Sequence, residues 1–234
     1  MNASTPVAII TGASQGIGAG LVAAYRGLGY AVVANSRSIG DSDDPMVLTV
    51  AGDIGEPGVG QRIADAALER FGRIDTVVNN AGIFVPKAFT DYTDDDFDAV
   101  SGVNVRGFFE LTRAALAAMT AGGLVVNIST SLVDHADSHA PSALASLTKG
   151  GLNAATTALA VEYASRDIRV NTVALGVIDT PMHDPSTHAA LAGLNPMGRL
   201  GTVDDVVAAV LYLQSATFVT GDILHVDGGQ SAGR

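Results

Sequence analysis

The chain has 234 residues, 47% of them apolar and 16% charged, with a formal net charge of −11. That length and balance suit one α/β domain with a sizeable core and exclude a disordered chain, while the acidity disfavours nucleic acid or an anionic membrane as partner. There is no cysteine, so disulfides, thiolate metal sites and thiol catalysis are excluded.

Residues 7–11, Val-Ala-Ile-Ile-Thr, predict a short apolar strand that begins within about six residues of the start, with no signal peptide before it. No apolar run is long enough to span a bilayer, and cytoplasm is the expected compartment. The turn Gly12-Ala13-Ser14-Gln15-Gly16-Ile17-Gly18 follows, then a helix predicted over 17–28. Gly12 allows a tight turn out of the strand. Gly16 removes a side chain where a diphosphate approaches the backbone, and Gly18 lets the helix pack close to the sheet. The helix directs its positive N-terminal end at the anion.

Further strands are predicted near 31–35, 46–50, 75–79, 124–129, 168–173 and 223–226, with helical stretches between most of them. Val59, Ile63, Ala67 and Phe71 mark one helix face. Strands without inward/outward alternation, separated by helices, predict an α/β fold with a doubly wound parallel sheet of about seven strands in one domain, residues 1–234.

The spacing Thr11-Gly12-x-x-x-Gly16-x-Gly18 and the run Asn79-Asn80-Ala81-Gly82 at the end of the fourth strand together resemble the short-chain dehydrogenase/reductase family. The resemblance extends from Thr11 to Gly229. It implies a Rossmann domain that binds a nicotinamide dinucleotide and interconverts a ketone and a secondary alcohol by hydride transfer. Gly12, Ser14, Gln15, Gly16, Ile17 and Gly18 would meet the diphosphate.

The second strand ends at Asn35-Ser36-Arg37. An acidic residue at position 36 would grip the ribose 2′-hydroxyl of NAD. Ser36 does not repel a 2′-phosphate and Arg37 would neutralise one, so NADP is expected ahead of NAD. The next segment, 39–44, is acidic and has no helical period, so a helix usual in the family is expected to be lost or reduced. The resemblance has Asp53 accept from the adenine amino group, with Ile54 beside it; a helix cap or turn residue explains Asp53 from its local sequence almost as well. Asn80, Ala81 and Gly82 would let the backbone lie beside the cofactor.

Thr93-Asp94-Asp95-Asp96 predicts a helix start with a capping box, the acids complementing the helix dipole rather than binding metal. The following helix carries Phe97, Val100, Phe108, Leu111 and Ala115 on its apolar face. Asn104 sits mid-helix, where asparagine is a poor helix former, and predicts a local break or a bound water. The resemblance gives it a water that passes protons from the lysine. The resemblance also implies a hydroxyl for the substrate oxygen at the end of the fifth strand, where Ser129-Thr130-Ser131 stands. Thr130 matches by register, with Ser129 and Ser131 as alternatives.

One departure from the family matters most. Its Tyr-x-x-x-Lys motif is Ala145-Ser146-Leu147-Thr148-Lys149 here. Lys149 is present and would bond the nicotinamide ribose, but the tyrosine is not. No tyrosine lies between Tyr92 and Tyr163. Tyr163 is more than three helical turns from Lys149, about 20 Å along the axis. Loss of a general acid costs roughly 10²–10⁴-fold in rate. His135 or His139 in the preceding loop, Ser146 beside the alanine, or Lys149 through an ordered water could give the proton instead.

The small residues Ala154, Ala155, Ala158, Ala160 and Ala164 on the helix over 143–164 let it pack closely on a partner, and the resemblance implies a homodimer or homotetramer. Leu175-Gly176-Val177-Ile178-Asp179-Thr180-Pro181 is similar to the family's Pro-Gly-x-x-x-Thr-Pro turn, with Leu175 replacing the first proline. The resemblance has Val177 or Ile178 meet the nicotinamide carboxamide, Thr180 bond it or a phosphate, and Gly176 lie against the cofactor. Residues 181–198 are the expected substrate lid and hold His183 and His188, with no ligand spacing that predicts a metal site. Two readings follow: an NADP-dependent oxidoreductase acting on a small-molecule carbonyl or alcohol with an altered proton donor, or a nucleotide-binding protein with little redox activity serving as a sensor or assembly subunit.

Overall fold

Seven strands pair in the order β3-β2-β1-β4-β5-β6-β7 in the computed structural model, which describes residues 5–120, 122–138 and 140–233. The strands are β1 Val7–Thr11, β2 Ala31–Ser36, β3 Val47–Ala51, β4 Thr76–Asn79, β5 Gly123–Thr130, β6 Ile168–Leu175 and β7 Ile223–Val226. Every pairing is parallel. The expected doubly wound α/β sheet is therefore present, with the strand order reversing between β1 and β4. A crevice opens at that switch point beyond the carboxyl ends of the strands.

The helices are α1 Gly16–Gly27, α2 Val59–Phe71, α3 Asp94–Ser101, α4 Gly107–Ala118, α5 Ala143–Tyr163, α6 His188–Ala192 and α7 Val203–Ser215. They cover the sheet on both faces. On one face α2, α4 and α5 bury Ile63, Leu111 and Ala160 against Ile9, Val33, Val125 and Val170. On the other, α1 and α7 bury Leu21, Tyr25, Val206 and Val210 against Ile10, Val32, Val126 and Val173. Central strands thus bury both faces, which is why their sequences are apolar without alternation.

Local chemistry sets the element ends. Thr93 and Asp96 form a reciprocal capping box at the start of α3, and Thr202 and Asp205 form another at α7. Gly72 ends α2 at φ 79°. Residues 39–44 carry no helix, as expected; Asp44 instead pairs with Arg26 of α1 at 2.8 Å. Among the described residues no helix is long and apolar enough to cross a membrane, and no cluster of three potential metal ligands occurs.

Candidate functional site

The glycine-rich turn closes on itself. Gly12 and Gly16 have φ of 66° and 53°, a backbone region that favours glycine. A Cβ on Gly18 would run into the Gly12 carbonyl and stand 2.8 Å from Ala13 Cα, so this glycine packs on the turn itself rather than on the wider sheet. Ser14 and Gln15 are exposed and Ile17 half-buried at the start of α1. Thr180 and Pro181 lie against Gly16: a Cβ there would be 3.5 Å from Thr180 Cβ and 3.6 Å from Pro181 Cδ. The turn after β6 thus meets the turn after β1, as their expected shared ligand requires.

At the end of β4, the Thr11 hydroxyl accepts from the Asn80 and Ala81 amides at 3.1 and 3.0 Å. Asn80 Nδ2 donates to the Thr11 carbonyl at 2.8 Å. These bonds lock the Asn79-Asn80-Ala81-Gly82 run to the end of β1, across the switch point. Beneath it lies a buried polar chain: Asn79 Nδ2 donates to Thr112 and to Asn127 Oδ1, both at 2.9 Å. Asn127 Nδ2 donates to Thr156, and Thr156 and Thr172 share a 2.7 Å bond. A fully satisfied network of this kind holds β4, β5, β6, α4 and α5 in one relation.

On the β2–β3 side, the Ser36 hydroxyl is buried with no hydrogen-bond partner. Arg37, next to it, is exposed and makes no ion pair or hydrogen bond to any described residue. Asp53 Oδ1 accepts from the Gly55 amide at 2.9 Å, a local turn bond, and Ile54 is buried against Gly107. An orphaned buried hydroxyl beside an uncommitted guanidinium suits a phosphate, which offers acceptors and negative charge to both.

The reaction-centre candidates converge around Gly82. The helix predicted through Asn104 is interrupted: Gly102–Arg106 is a π turn between α3 and α4. The wide turn presents Asn104 inward, buried to 2% exposure. Its Oδ1 accepts from the Ile83 amide at 3.0 Å, and its Nδ2 donates to the Ile83 carbonyl at 3.1 Å and to Thr148 Oγ1 at 3.2 Å. Lys149 Nζ donates to the Ile128 carbonyl at 2.7 Å. A Cβ on Gly82 would be 2.9 Å from Lys149 Nζ and 3.4 Å from Asn104 Oδ1, so only glycine leaves both groups facing one spot. Lys149 has no carboxylate partner among the described residues, and burial pulls its ammonium down from 10.5 to about 8.

The three hydroxyls after Ile128 are sorted by their partners. Ser129 Oγ faces the Lys149 carbonyl at 3.4 Å, and Ser131 Oγ meets Gln230 at 3.3 Å. Thr130 Oγ1 only accepts, from the Leu132 amide at 3.2 Å, and its proton has no described acceptor. Ala145 is 4% exposed on α5, one turn before Lys149. Ser146 turns away and donates to the Leu132 carbonyl at 3.1 Å. His135 is half-buried in the loop and its ring bonds no described residue, while His139 lies outside the described residues. Gly176 packs against the Asp227 backbone, and Ile178 is buried and bridged to Gly201. His188 Nε2 stands 3.8 Å from Asp179, and burial holds His183 below its ordinary range.

Residues 12–231 match the family model described as Enoyl-(Acyl carrier protein) reductase. The chain is 37% identical to a granaticin polyketide synthase putative ketoacyl reductase 2 of Streptomyces violaceoruber, over 96% of this chain and 95% of that one. This protein belongs to the short-chain dehydrogenase/reductase family. It is also 33% identical to the L-xylulose reductase of Bos taurus, over 95% of each chain. A short chain dehydrogenase from Burkholderia cenocepacia, solved in complex with NADP, superimposes with a TM-score of 0.90 at 29% identity over 96% of this chain and 97% of that one.

Several structural features of this short-chain dehydrogenase/reductase went unread in its sequence. The Thr11 hydroxyl and the Asn79–Asn127 pair are two of them. Asn79 and Asn127 are direct register partners on β4 and β5, and a polar residue inside each apolar strand was the available signal. The loop carrying Thr130 and His135 is also tied to the C-terminal segment by Ser131–Gln230 and by His225 Nε2 to Asp134 at 2.9 Å. Beside that tie is a cleft of about 330 Å³ lined by Asn195, Arg199, His225 and Asp227.

Proposed function

We propose that the protein is an NADP(H)-dependent oxidoreductase, with NAD the poorer coenzyme, that interconverts a ketone and a secondary alcohol on a small molecule. The convergence of Lys149 Nζ and Asn104 Oδ1 on Gly82 carries this reading. Lys149 serves a bound nucleotide as well as catalysis, but nucleotide binding alone gives no use for a triply bonded asparagine presented beside it at the switch point. The residues fit the coenzyme: the closed glycine turn for the diphosphate, Ser36 and Arg37 for the 2′-phosphate, Asp53 and Ile54 beside adenine, Asn80, Ala81 and Gly82 along its path, and Gly176, Ile178 and Thr180 near the carboxamide. The neighbour solved with NADP supports the same choice. When bound, the coenzyme supplies or accepts the hydride.

In this reading Thr130 donates its free hydroxyl proton as a hydrogen bond to the substrate oxygen and orients it. Lys149 holds the nicotinamide ribose. Residues 181–198 cover the substrate within one domain, and the protomers assemble as a homodimer or homotetramer through the exposed small residues of α5, Ala154 and Ala158. Because position 145 is alanine, the proton donor differs from the family's phenol. The same alanine favours a second reading, a catalytically weak nucleotide-binding member of the family. NADPH consumption against a panel of ketones, ketoses and 3-oxoacyl esters separates the two. Turnover of a panel member above the coenzyme-only background supports the enzyme, and tight NADPH binding with no turnover supports the second reading.

A further inference from the structure

A carbonyl reduction ends with a proton on the substrate oxygen, and the side chain at position 145 is a methyl group. The neighbouring donors are mostly committed. Ser146 Oγ gives its proton to the Leu132 carbonyl, Ser129 to the Lys149 carbonyl, and Thr148 Oγ1 to the Leu144 and Ala145 carbonyls at 3.0 and 3.1 Å. His225 is engaged with Asp134, whereas the His135 ring bonds no described residue and is the rival donor that the pH profile below separates from Lys149. Thr130 keeps a free proton, but an aliphatic alcohol can give it up only if another acid replaces it at once. Lys149 is different. Its ammonium has three protons and spends one on Ile128, and neither β5, the Gly82 loop, the π turn nor α5 brings a carboxylate to it.

The spacing is right for a relay. The Ile128 carbonyl that holds Nζ is two residues before Thr130 on β5, where about 7 Å separates the two Cα atoms, so water can connect Nζ to an oxygen held by Thr130. Ala145 and Lys149 are four apart on one helix and share a face, so bulk at 145 would stand beside Nζ. Asn104 Oδ1, fixed by Ile83, offers a second acceptor at the same spot.

Resting on the oxidoreductase reading above, we propose that Lys149 is itself the proton donor, passing its proton through water to the substrate oxygen held by Thr130. In that step an N–H bond of Lys149 breaks, an O–H bond of the product forms, the water is regenerated, and solvent returns a proton to the neutral amine. The hydride for the new C–H bond is the coenzyme's. In the alcohol-oxidising direction the neutral amine takes the proton.

The sequence contains two lysines, Lys87 and Lys149, so a [13C]lysine-labelled chain gives two resolvable Cε signals, with Lys149→Arg assigning them. Lys87, paired with Asp96 at 2.6 Å, supplies the second signal. The unliganded wild-type chain should show one signal titrating near pH 8, and with NADPH bound that signal and carbonyl reduction at saturating NADPH should share one midpoint. Ala145→Phe should cut turnover about a hundredfold with NADPH binding retained, because the ring blocks water without supplying a hydroxyl. Ala145→Tyr should keep turnover and uncouple its pH dependence from the lysine signal. A Lys149 signal titrating above pH 10 in the wild type would overturn the proposal. So would a pH limb near 6.5, the ordinary value of histidine, or an Ala145→Phe protein that is folded, binds NADPH and is fully active. If the Phe variant does not fold, the wild-type comparison of NMR and kinetic midpoints decides alone. A wild-type chain that binds NADPH but reduces nothing overturns the oxidoreductase reading and this proposal with it; turnover with mismatched midpoints overturns this proposal only.

Discussion

Replacing Lys149 by methionine should make the folded protein more stable at neutral pH. Burial moves the ammonium from 10.5 to about 8, and that difference corresponds to about 3 kcal/mol of folding free energy at 1.36 kcal/mol per pH unit. The penalty is fully present below pH 8, where the folded chain keeps a charge in surroundings that disfavour it. Between pH 8 and 10.5 the unfolded chain still binds the proton while the folded chain has released it, so wild-type stability rises with pH relative to the variant. Methionine matches the length of the stem but leaves the Ile128 carbonyl without its 2.7 Å donor. That loss offsets about 1–3 kcal/mol. The net expectation is a gain of up to about 2 kcal/mol at pH 7, or up to about 8 °C in Tm for a chain of this size. By pH 10.5 the gain should have vanished, and the variant should fall slightly below the wild type. Urea denaturation of both proteins at pH 7 and 10.5 measures the difference, in which all other titrating groups cancel. A variant less stable than wild type at pH 7, or a difference independent of pH, would refute the claim that Lys149 is held there at the expense of stability.

Other outcomes follow from single contacts. Gly18→Ala places a methyl against the Gly12 carbonyl and Ala13 Cα; it should destabilise by about 3 kcal/mol and weaken NADPH binding by at least about tenfold, read by chemical denaturation and fluorescence titration. Arg37→Ser should weaken NADPH by about ten- to a hundredfold and leave NADH within about twofold, since only the former offers a 2′-phosphate; equal losses for both would count against the assignment. Thr202→Ala removes the acceptor for the Asp205 amide, 3.2 Å away, and should cost about 1 kcal/mol in denaturant melts with coenzyme affinity unchanged.

The fold was legible because its signals are local. The apolar runs without alternation, the glycine turn and the capping pair Thr93/Asp96 each act within a few residues, and each appears where its sequence placed it. Asn104 was legible as a break because asparagine competes with the helix, and the break is a π turn that widens the backbone around it. The missing helix between β2 and β3 was equally readable from an acidic segment without period. Contacts between residues far apart in the chain were not. Nothing near Thr11 announces that its hydroxyl will hold the Asn80 and Ala81 amides, or that Gln230 will meet Ser131 across 99 residues. The hydroxyl cluster at 129–131 shows the same limit: its three members are alike in sequence, and only the strand register and the partners on α5 and at the C-terminal end distinguish Thr130.

An intact nucleotide-holding turn that selects the 2′-phosphate shows itself in calorimetric titration of the wild-type chain with NADPH and with NADH at equal ionic strength. Both should bind, with NADPH tighter by at least about tenfold. Heat from neither coenzyme, or a preference for NADH, would contradict it.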